Sequence, residues 1–310
     1  MRVLFIGTGE IGAPVLRSLI ESDDHKLIGV VTQPDKPVGR AQRIEPTPIK
    51  AALGATDVPL FQPSRIKNAE AIEQIAAVAP DVIVVMAYGQ ILPPAVLEIP
   101  RIACLNLHAS LLPRHRGAAP IQAAIAAGDA ESGLTVMYMD EGLDTGDILL
   151  QMPLEIRPDE TGGSLHDRLG SIASAALKRA LDMLVAGSAP RIPQEASAAT
   201  YARKLEREDG RIDWREPAEL IERKIRAYHP WPGMFTLLRD KRGREQKLKI
   251  FRAEIATDTT SGPLAFRAGD SAIAIREAQL EGKRRMSAAE LIRGHPWLAG
   301  AELVLNPASS

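Results

Sequence analysis

The run DVIVVMAYG (81–89) constrains this chain more than any other stretch. It is strand-length and its apolar residues are not interrupted by polar ones. Such a strand is buried on both faces, which is the habit of a parallel sheet covered by helices rather than of a half-wetted antiparallel one. Around it the first 185 residues alternate between two kinds of pattern. RVLFIG (2–7), KLIGVVT (26–32), IACLNLH (102–108) and GLTVMYM (133–139) read as strands. APVLRSLIES (13–22), NAEAIEQIAAVAP (68–80) and APIQAAIAAG (119–128) carry apolar residues at helical spacing. Repeated strand–helix alternation predicts an α/β, doubly wound, mostly parallel sheet, with ligands received at the carboxyl ends of its strands.

SLHDRLGSIASAALKRALDMLVAG (164–187) is the clearest helix, with Ser164 and Asp167 resembling a capping box and Gly187 a plausible stop. The Pro- and Arg-rich QPDKPVGRAQRIEPTPIK (33–50) is expected to be a loop. At 310 residues the chain is long for one domain. The expected division is a first domain over 1–187, a linker over 188–206 and a β-rich second domain over 207–310. In the last of these, KLKIFRAEIA (247–256), PLAFRA (263–268) and SAIAIREAQL (271–280) alternate like strands of a small antiparallel sheet or barrel. The net charge of −1 is unevenly spread, with residues 201–310 carrying +5 and residues 1–200 carrying −6. A basic second half suits an anionic partner, although uneven solvated surface charge accounts for it equally well.

Cys104 is the single cysteine, which excludes an intrachain disulfide and every multi-cysteine zinc pattern and fits a reducing compartment. No signal peptide is visible at the start and no apolar run approaches membrane-spanning length. A cytoplasmic protein without a membrane contact is expected.

Three motifs carry chemistry. GTGEIG (7–12) matches G-x-G-x-x-G between a strand and a helix, a pattern that fits a dinucleotide site or simply a tight turn with close packing. The second strand ends at Thr32-Gln33, without the acidic residue a ribose would need, so no NAD(P) is expected. Asn106 and His108, two apart on one strand, face the same crevice near a carboxyl end. MDEGLDTGDIL (139–149) holds four acids, and Asp144, framed by Gly142 and Gly146, is the one expected beside that strand end. The scattered carboxylates lack ligand spacing, so no metal is expected.

NLHASLLPRHRGAAPIQ followed by MDEGLDTGDIL resembles the signature of folate-dependent formyltransferases, with its N-x-H, S-L-L-P and D-T-G-D elements. VTQPDKPVGR, VVMAYGQILP, TYARKLEREDGRIDW and RAYHPWPG extend the likeness over nearly the full length, toward the members that act on methionyl initiator tRNA. The resemblance implies a Rossmann-like catalytic domain, a smaller C-terminal OB-like β-barrel and 10-formyltetrahydrofolate as formyl donor. It implies catalytic roles for Asn106, His108 and Asp144: an oxyanion donor, a second donor and proton carrier, and the carboxylate that orients it. Folate contacts are implied for Ser110, Leu111, Leu112 and Pro113, and for Met86, Ala87, Tyr88 and Gly89 across the crevice. Arg40 and Arg43 in the loop, with Lys241, Arg242 and Arg244 in the second domain, are the implied contacts to tRNA, and a monomer is expected. The loop departs from the family's G-R-G-K-K, reading GRAQR with fewer positive charges. A small-amine or sugar-nucleotide N-formyltransferase, a nicotinamide enzyme and a non-catalytic RNA-binding module remain as alternatives.

Overall fold

The computed structural model of the chain describes residues 1–39, 42–260 and 262–305. They form two compact units: Met1–Pro120, Glu131–Glu155 and His166–Ala202 in the first, and Ile121–Ala130, Ile156–Leu165 and the residues from Arg203 onward in the second.

Strands of the first unit are, in chain order, β1 (Arg2–Gly7), β2 (Lys26–Val31), β3 (Lys36–Val38), β4 (Arg43–Glu45), β5 (Leu60–Phe61), β6 (Val82–Met86), β7 (Ala103–His108), β8 (Arg116–Gly117), β9 (Glu131–Tyr138), β10 (Ile148–Glu155) and β11 (Tyr201–Ala202). Seven of them make one sheet in the order β10-β9-β7-β6-β1-β2-β5. From β5 to β7 every neighbouring pair is parallel, and β9 runs antiparallel to both β7 and β10. The order reverses direction at β1, which has β2 on one side and β6 on the other, so the crevice of a doubly wound sheet falls at the ends of β1 and β6.

Helices α1 (Ala13–Ile20), α2 (Pro48–Leu53), α3 (Ala69–Ala77), α4 (Pro94–Leu97), α5 (Pro120–Ala127) and α6 (Gly162–Val185) follow in chain order. The sheet is buried on both faces, as the run at 82–86 requires: all five of its residues are buried. On one face Leu4, Ile6, Ile83 and Val85 pack with Ile75 of α3 and Val96 of α4. On the other, Phe5 lies so close to Gly7 and Gly12 that an added Cβ would sit 2.7 Å and 3.2 Å from its ring. Each large apolar side chain so buried stabilises the fold by about 1.5–3 kcal/mol.

Three expectations from sequence need correction here. The stretch 33–50 is not all loop, because Lys36–Val38 and Arg43–Glu45 pair as a two-stranded ribbon and α2 begins at Pro48. Pro37 sits in that ribbon, where no wider sheet needs its missing N–H. Helix α6 starts before Ser164; it is Thr161 whose hydroxyl accepts the Ser164 N–H at 3.1 Å, while Ser164 donates to Glu160 at 2.5 Å. Gly187, with φ +65°, does follow the helix end. Residues 188–202 are no free tether: Ile192 bridges to Ile148, and Tyr201–Ala202 pair with Arg116–Gly117.

The second unit contains β12 (Met234–Arg239), β13 (Glu245–Ala256), β14 (Ala265–Arg267), β15 (Ala272–Leu280), β16 (Met286–Ser287) and β17 (Glu302–Leu303), with α7 (Ala218–Ala227) and α8 (Ala288–Gly294). Its strands form one antiparallel sheet of order β14-β15-β13-β12-β17, with β16 beside β15. Among the described residues the outer strands β14 and β17 do not pair, so the barrel expected from sequence is an open half-barrel. Its core includes Trp214, Ile221, Leu248, Phe266 and Ile273, and the buried Trp214 donates its indole N–H to Thr236 at 3.0 Å. Among the described residues no helix is long and apolar enough to cross a membrane.

Candidate active site

Strand β7 ends at His108, and the polar side chains on its last turn of pleat are the ones the apolar pattern could not account for. Asn106 is half-buried and His108 buried. The loop after β9 brings Asp144 to them: the Asn106 amide donates to Asp144 Oδ1 at 3.4 Å, and His108 Nδ1 lies 3.7 Å from Asp144 Oδ2. The Gly117 N–H donates to the same carboxylate at 2.8 Å. Asp144 has φ +52°, a left-handed conformation that costs a non-glycine residue about 1–2 kcal/mol and is held only where the surroundings demand it.

His108 Nε2 is 3.0 Å from the His115 carbonyl oxygen. A carbonyl can only accept, so Nε2 carries the hydrogen. The position at which His108 can exchange a proton with other groups is therefore Nδ1, the edge it shares with Asp144. The resemblance implies a second donor and proton carrier at His108; with Nε2 engaged by the His115 carbonyl, that role is confined to the Nδ1 edge.

The turn 110–113 is tied to its surroundings by hydrogen bonds and packing. Thr135 Oγ1 accepts the Leu112 N–H at 3.1 Å and donates to the Ser110 carbonyl at 2.6 Å. Gln151 donates to the Leu112 carbonyl at 2.8 Å, and Ser110 donates to the Arg114 carbonyl at 2.7 Å. Leu112 is buried with Met137 and Ile148. Leu111 packs against Gly133, where an added Cβ would meet its side chain at 2.5 Å. Pro113 passes its carbonyl to the Thr200 N–H at 3.3 Å. Most of the backbone groups expected to meet a ligand here are thus already engaged.

Across the crevice, Met86 is buried in β6, whereas Ala87 and Gly89 are exposed and left-handed, with φ +49° and +81°. Tyr88 departs from expectation. Its ring is in the core with Leu4, Ile6 and Leu92, where burial pushes the phenol up to about 12. Only its backbone faces the turn, with the carbonyl accepting from Gln33 at 2.7 Å. The loop after β1 closes on the same turn: the Thr8 and Gly9 N–H groups both donate to the Ala87 carbonyl, at 3.2 and 3.0 Å. In a dinucleotide site amides of this loop face a pyrophosphate; here they are spent on the protein itself, and the glycines serve close packing. Cys104 is buried, which pushes its thiol up to about 12.

Sequence reasoning missed four supporting side chains: Gln33, Thr135, Gln194 and Thr200. Thr135 and Gln33 looked like ordinary strand and loop residues. Gln194 and Thr200 lay in the expected linker, and nothing local marked them, since their partners are 48 to 85 residues away. Of the expected tRNA contacts, Arg40 lies outside the described residues, and Arg43 is exposed at the start of β4. In the second unit Lys241, Arg242 and Arg244 are exposed on the β12–β13 turn, where Arg244 pairs with Asp240 at 2.8 Å.

A doubly wound sheet with an amide, an imidazole and a carboxylate gathered at one strand end belongs to a known class. The chain is a member of the formyl transferase family: residues 1–181 match the formyl transferase family model and residues 204–296 that of the formyl transferase C-terminal domain. It is 46% identical over 305 residues to the methionyl-tRNA formyltransferase of Marinobacter nauticus, covering 95% of this chain and 96% of that protein. With the methionyl-tRNA formyltransferase of Geobacter sulfurreducens it shares 42% over 313 residues, 98% of this chain and 96% of that one. Among solved structures, the fold is similar to that of WlaRD, a sugar 3N-formyltransferase crystallised in the presence of dTDP and 5-N-formyl-THF. The TM-score is 0.65 at 16% identity, over 92% of this chain and 99% of that one.

Proposed function

We propose that this chain moves the formyl group of 10-formyltetrahydrofolate onto the α-amino group of methionine carried by initiator tRNA. The observation that carries the reading is the meeting of Asn106, His108 and Asp144 at the end of β7, within 3.4 and 3.7 Å of one another through the Asp144 carboxylate. Near-full-length identity to two methionyl-tRNA formyltransferases supports the choice of acceptor.

An α-amine titrates near pH ~8, so part of it is already a free nucleophile at neutrality. Its nitrogen attacks the formyl carbon, and the formyl oxygen becomes an oxyanion. Asn106 has a second Nδ2 hydrogen besides the one aimed at Asp144, and it stabilises that oxygen. The amine's proton passes to the Asp144 carboxylate and the His108 Nδ1 edge. The bond from the formyl carbon to the folate nitrogen breaks, and that nitrogen takes the proton back. The products are the N-formyl amine and tetrahydrofolate, with no covalent enzyme intermediate.

The folate lies against the exposed backbone of Ala87 and Gly89, with Met86 and Tyr88 supporting that turn from within. Ser110, Leu111, Leu112 and Pro113 act as the opposite, pre-formed wall. In this reading catalysis belongs to the first domain. Arg40, Arg43, Lys241, Arg242 and Arg244 contact tRNA, and the protein works as a cytoplasmic monomer. The test supplies 10-formyltetrahydrofolate with methionyl initiator tRNA, methionyl elongator tRNA or an amino-sugar nucleotide. Formylation of the initiator tRNA alone is expected; formylation of the amino sugar in its place would overturn the reading.

A further inference from the structure

The Asp144 backbone, in its left-handed conformation, is held by Gln194, which is held in turn by Arg116, and neither belongs to the N-x-H or the D-T-G-D motif. Gln194 Nε2 donates to the Asp144 carbonyl at 2.9 Å and to the Gly146 carbonyl at 2.7 Å. Its Oε1 accepts from Arg116 twice, from Nε at 3.1 Å and from Nη2 at 2.8 Å. The amide orientation is unambiguous, because carbonyls only accept and a guanidinium only donates. Arg116 is 5% exposed, and its immediate neighbour Gly117 supplies the N–H that meets the Asp144 carboxylate. A cation pulling on the amide oxygen strengthens the donors at the amide nitrogen. The loop carrying Asp144 is thereby gripped at both ends, backbone by Gln194 and carboxylate by Gly117.

We propose that Arg116 and Gln194 are positioning residues for the transfer, acting through Asp144. The inference rests on the role given to Asp144 above. Neither side chain need touch a substrate. Their function is to keep the carboxylate where Asn106 and His108 use it, and a displacement of about 1 Å in such a site can cost ~10²-fold in rate.

Gln194→Glu is the sharpest variant, since it keeps the shape and the contact to Arg116 but replaces the amide donor with an oxygen facing two carbonyl oxygens. Turnover should fall about 10- to 100-fold while KM for folate and for tRNA stays within about threefold, because the loss is of geometry rather than binding. Gln194→Ala, which adds no charge, is read in the same way if the glutamate variant does not fold. Each variant is also made in an Asp144→Ala background, where residues acting only through Asp144 should cost nothing more. If Asp144→Ala is impaired but Gln194→Glu turns over like the parent, the inference falls. It falls too if Gln194→Glu lowers turnover by the same factor with and without Asp144. Parent-like turnover in Asp144→Ala itself would instead remove the role of Asp144, on which the inference stands.

Discussion

At the end of β7 the carboxylate that joins the site, Asp144, is held by groups drawn from distant parts of the chain, whereas the turn of the β12–β13 hairpin is held by its own neighbours. Asp144 meets Asn106, Gly117 and Gln194 across 27 to 50 residues of sequence. On the hairpin, Asp240 accepts the Arg242 and Arg244 N–H groups at 2.8 and 3.0 Å, and Arg239 pairs with Glu245 at 2.7 Å. The first arrangement exists only once the sheet is folded; the second needs only a turn. Disturbing the first should therefore abolish chemistry at a point, while disturbing the second should grade a surface interaction.

The largest effect is expected at His108. His108→Ala removes the Nδ1 edge shared with Asp144 and should lower kcat by about 10²–10⁴-fold, the range for a positioned proton carrier. A change confined to KM would instead make it a binding residue. A smaller effect is expected at Thr135, which holds the 110–113 turn from β9 without reaching the reacting atoms. Thr135→Val keeps the volume but strands the Leu112 N–H, which costs about 1–3 kcal/mol when buried. KM for folate should rise by about tenfold, with kcat little changed. If kcat falls and KM does not, the turn serves catalysis rather than the folate.

The hairpin should respond to salt. Lys241 and Arg242 have no carboxylate partner for their side chains among the described residues, whereas Arg244 has Asp240. Replacing Lys241 and Arg242 with Ala should reduce the log–log salt slope of tRNA affinity by about 0.7–0.9 for each phosphate no longer neutralised. Arg244→Ala should change it less, its charge being offset already. Equal slopes in all variants would place the RNA elsewhere.

Acid gives the smallest effect and bears on both units, since Asp35 and Asp81 of the first unit are also held below the usual carboxyl range. Hydrogen bonding from Arg203 holds the Asp209 carboxyl below its usual range, Arg215 does so for Asp213, and Arg285 for Glu277. A carboxylate lowered in the folded state contributes stability above its unfolded value of about 4 and loses it as pH falls through the folded one. All three tryptophans, Trp214, Trp231 and Trp297, are in the second unit. Tryptophan fluorescence in a fixed concentration of denaturant, followed from pH 5 downward, should therefore report falling stability of that unit below about pH 4, and stability that weakens on raising the pH instead would contradict the assignment.

How much was legible follows the same division. The buried run at 82–86, the alternation of strand and helix, and the Asn106/His108 pair two residues apart were readable because periodicity is local. The ribbon at 36–45 was hidden by its proline, which normally argues against a strand. Tyr88 could be placed near the crevice, but its ring turned into the core because the chain leaves β6 in a left-handed step at Ala87. Gln194 was invisible because its meaning lies in carbonyls 48 and 50 residues away, and nothing in its immediate surroundings records them.

The central claim is that the end of β7 stabilises the oxygen of the formyl group as the amine attacks it. Asn106→Ala tests this most directly, in a single turnover with both substrates pre-bound at saturation. The rate of formyl transfer should fall by about 10²–10³-fold, the cost of removing one oxyanion donor, while the affinities for folate and for charged initiator tRNA stay within about threefold of the parent's. A folded Asn106→Ala protein that transfers formyl at the parent's rate would contradict the account.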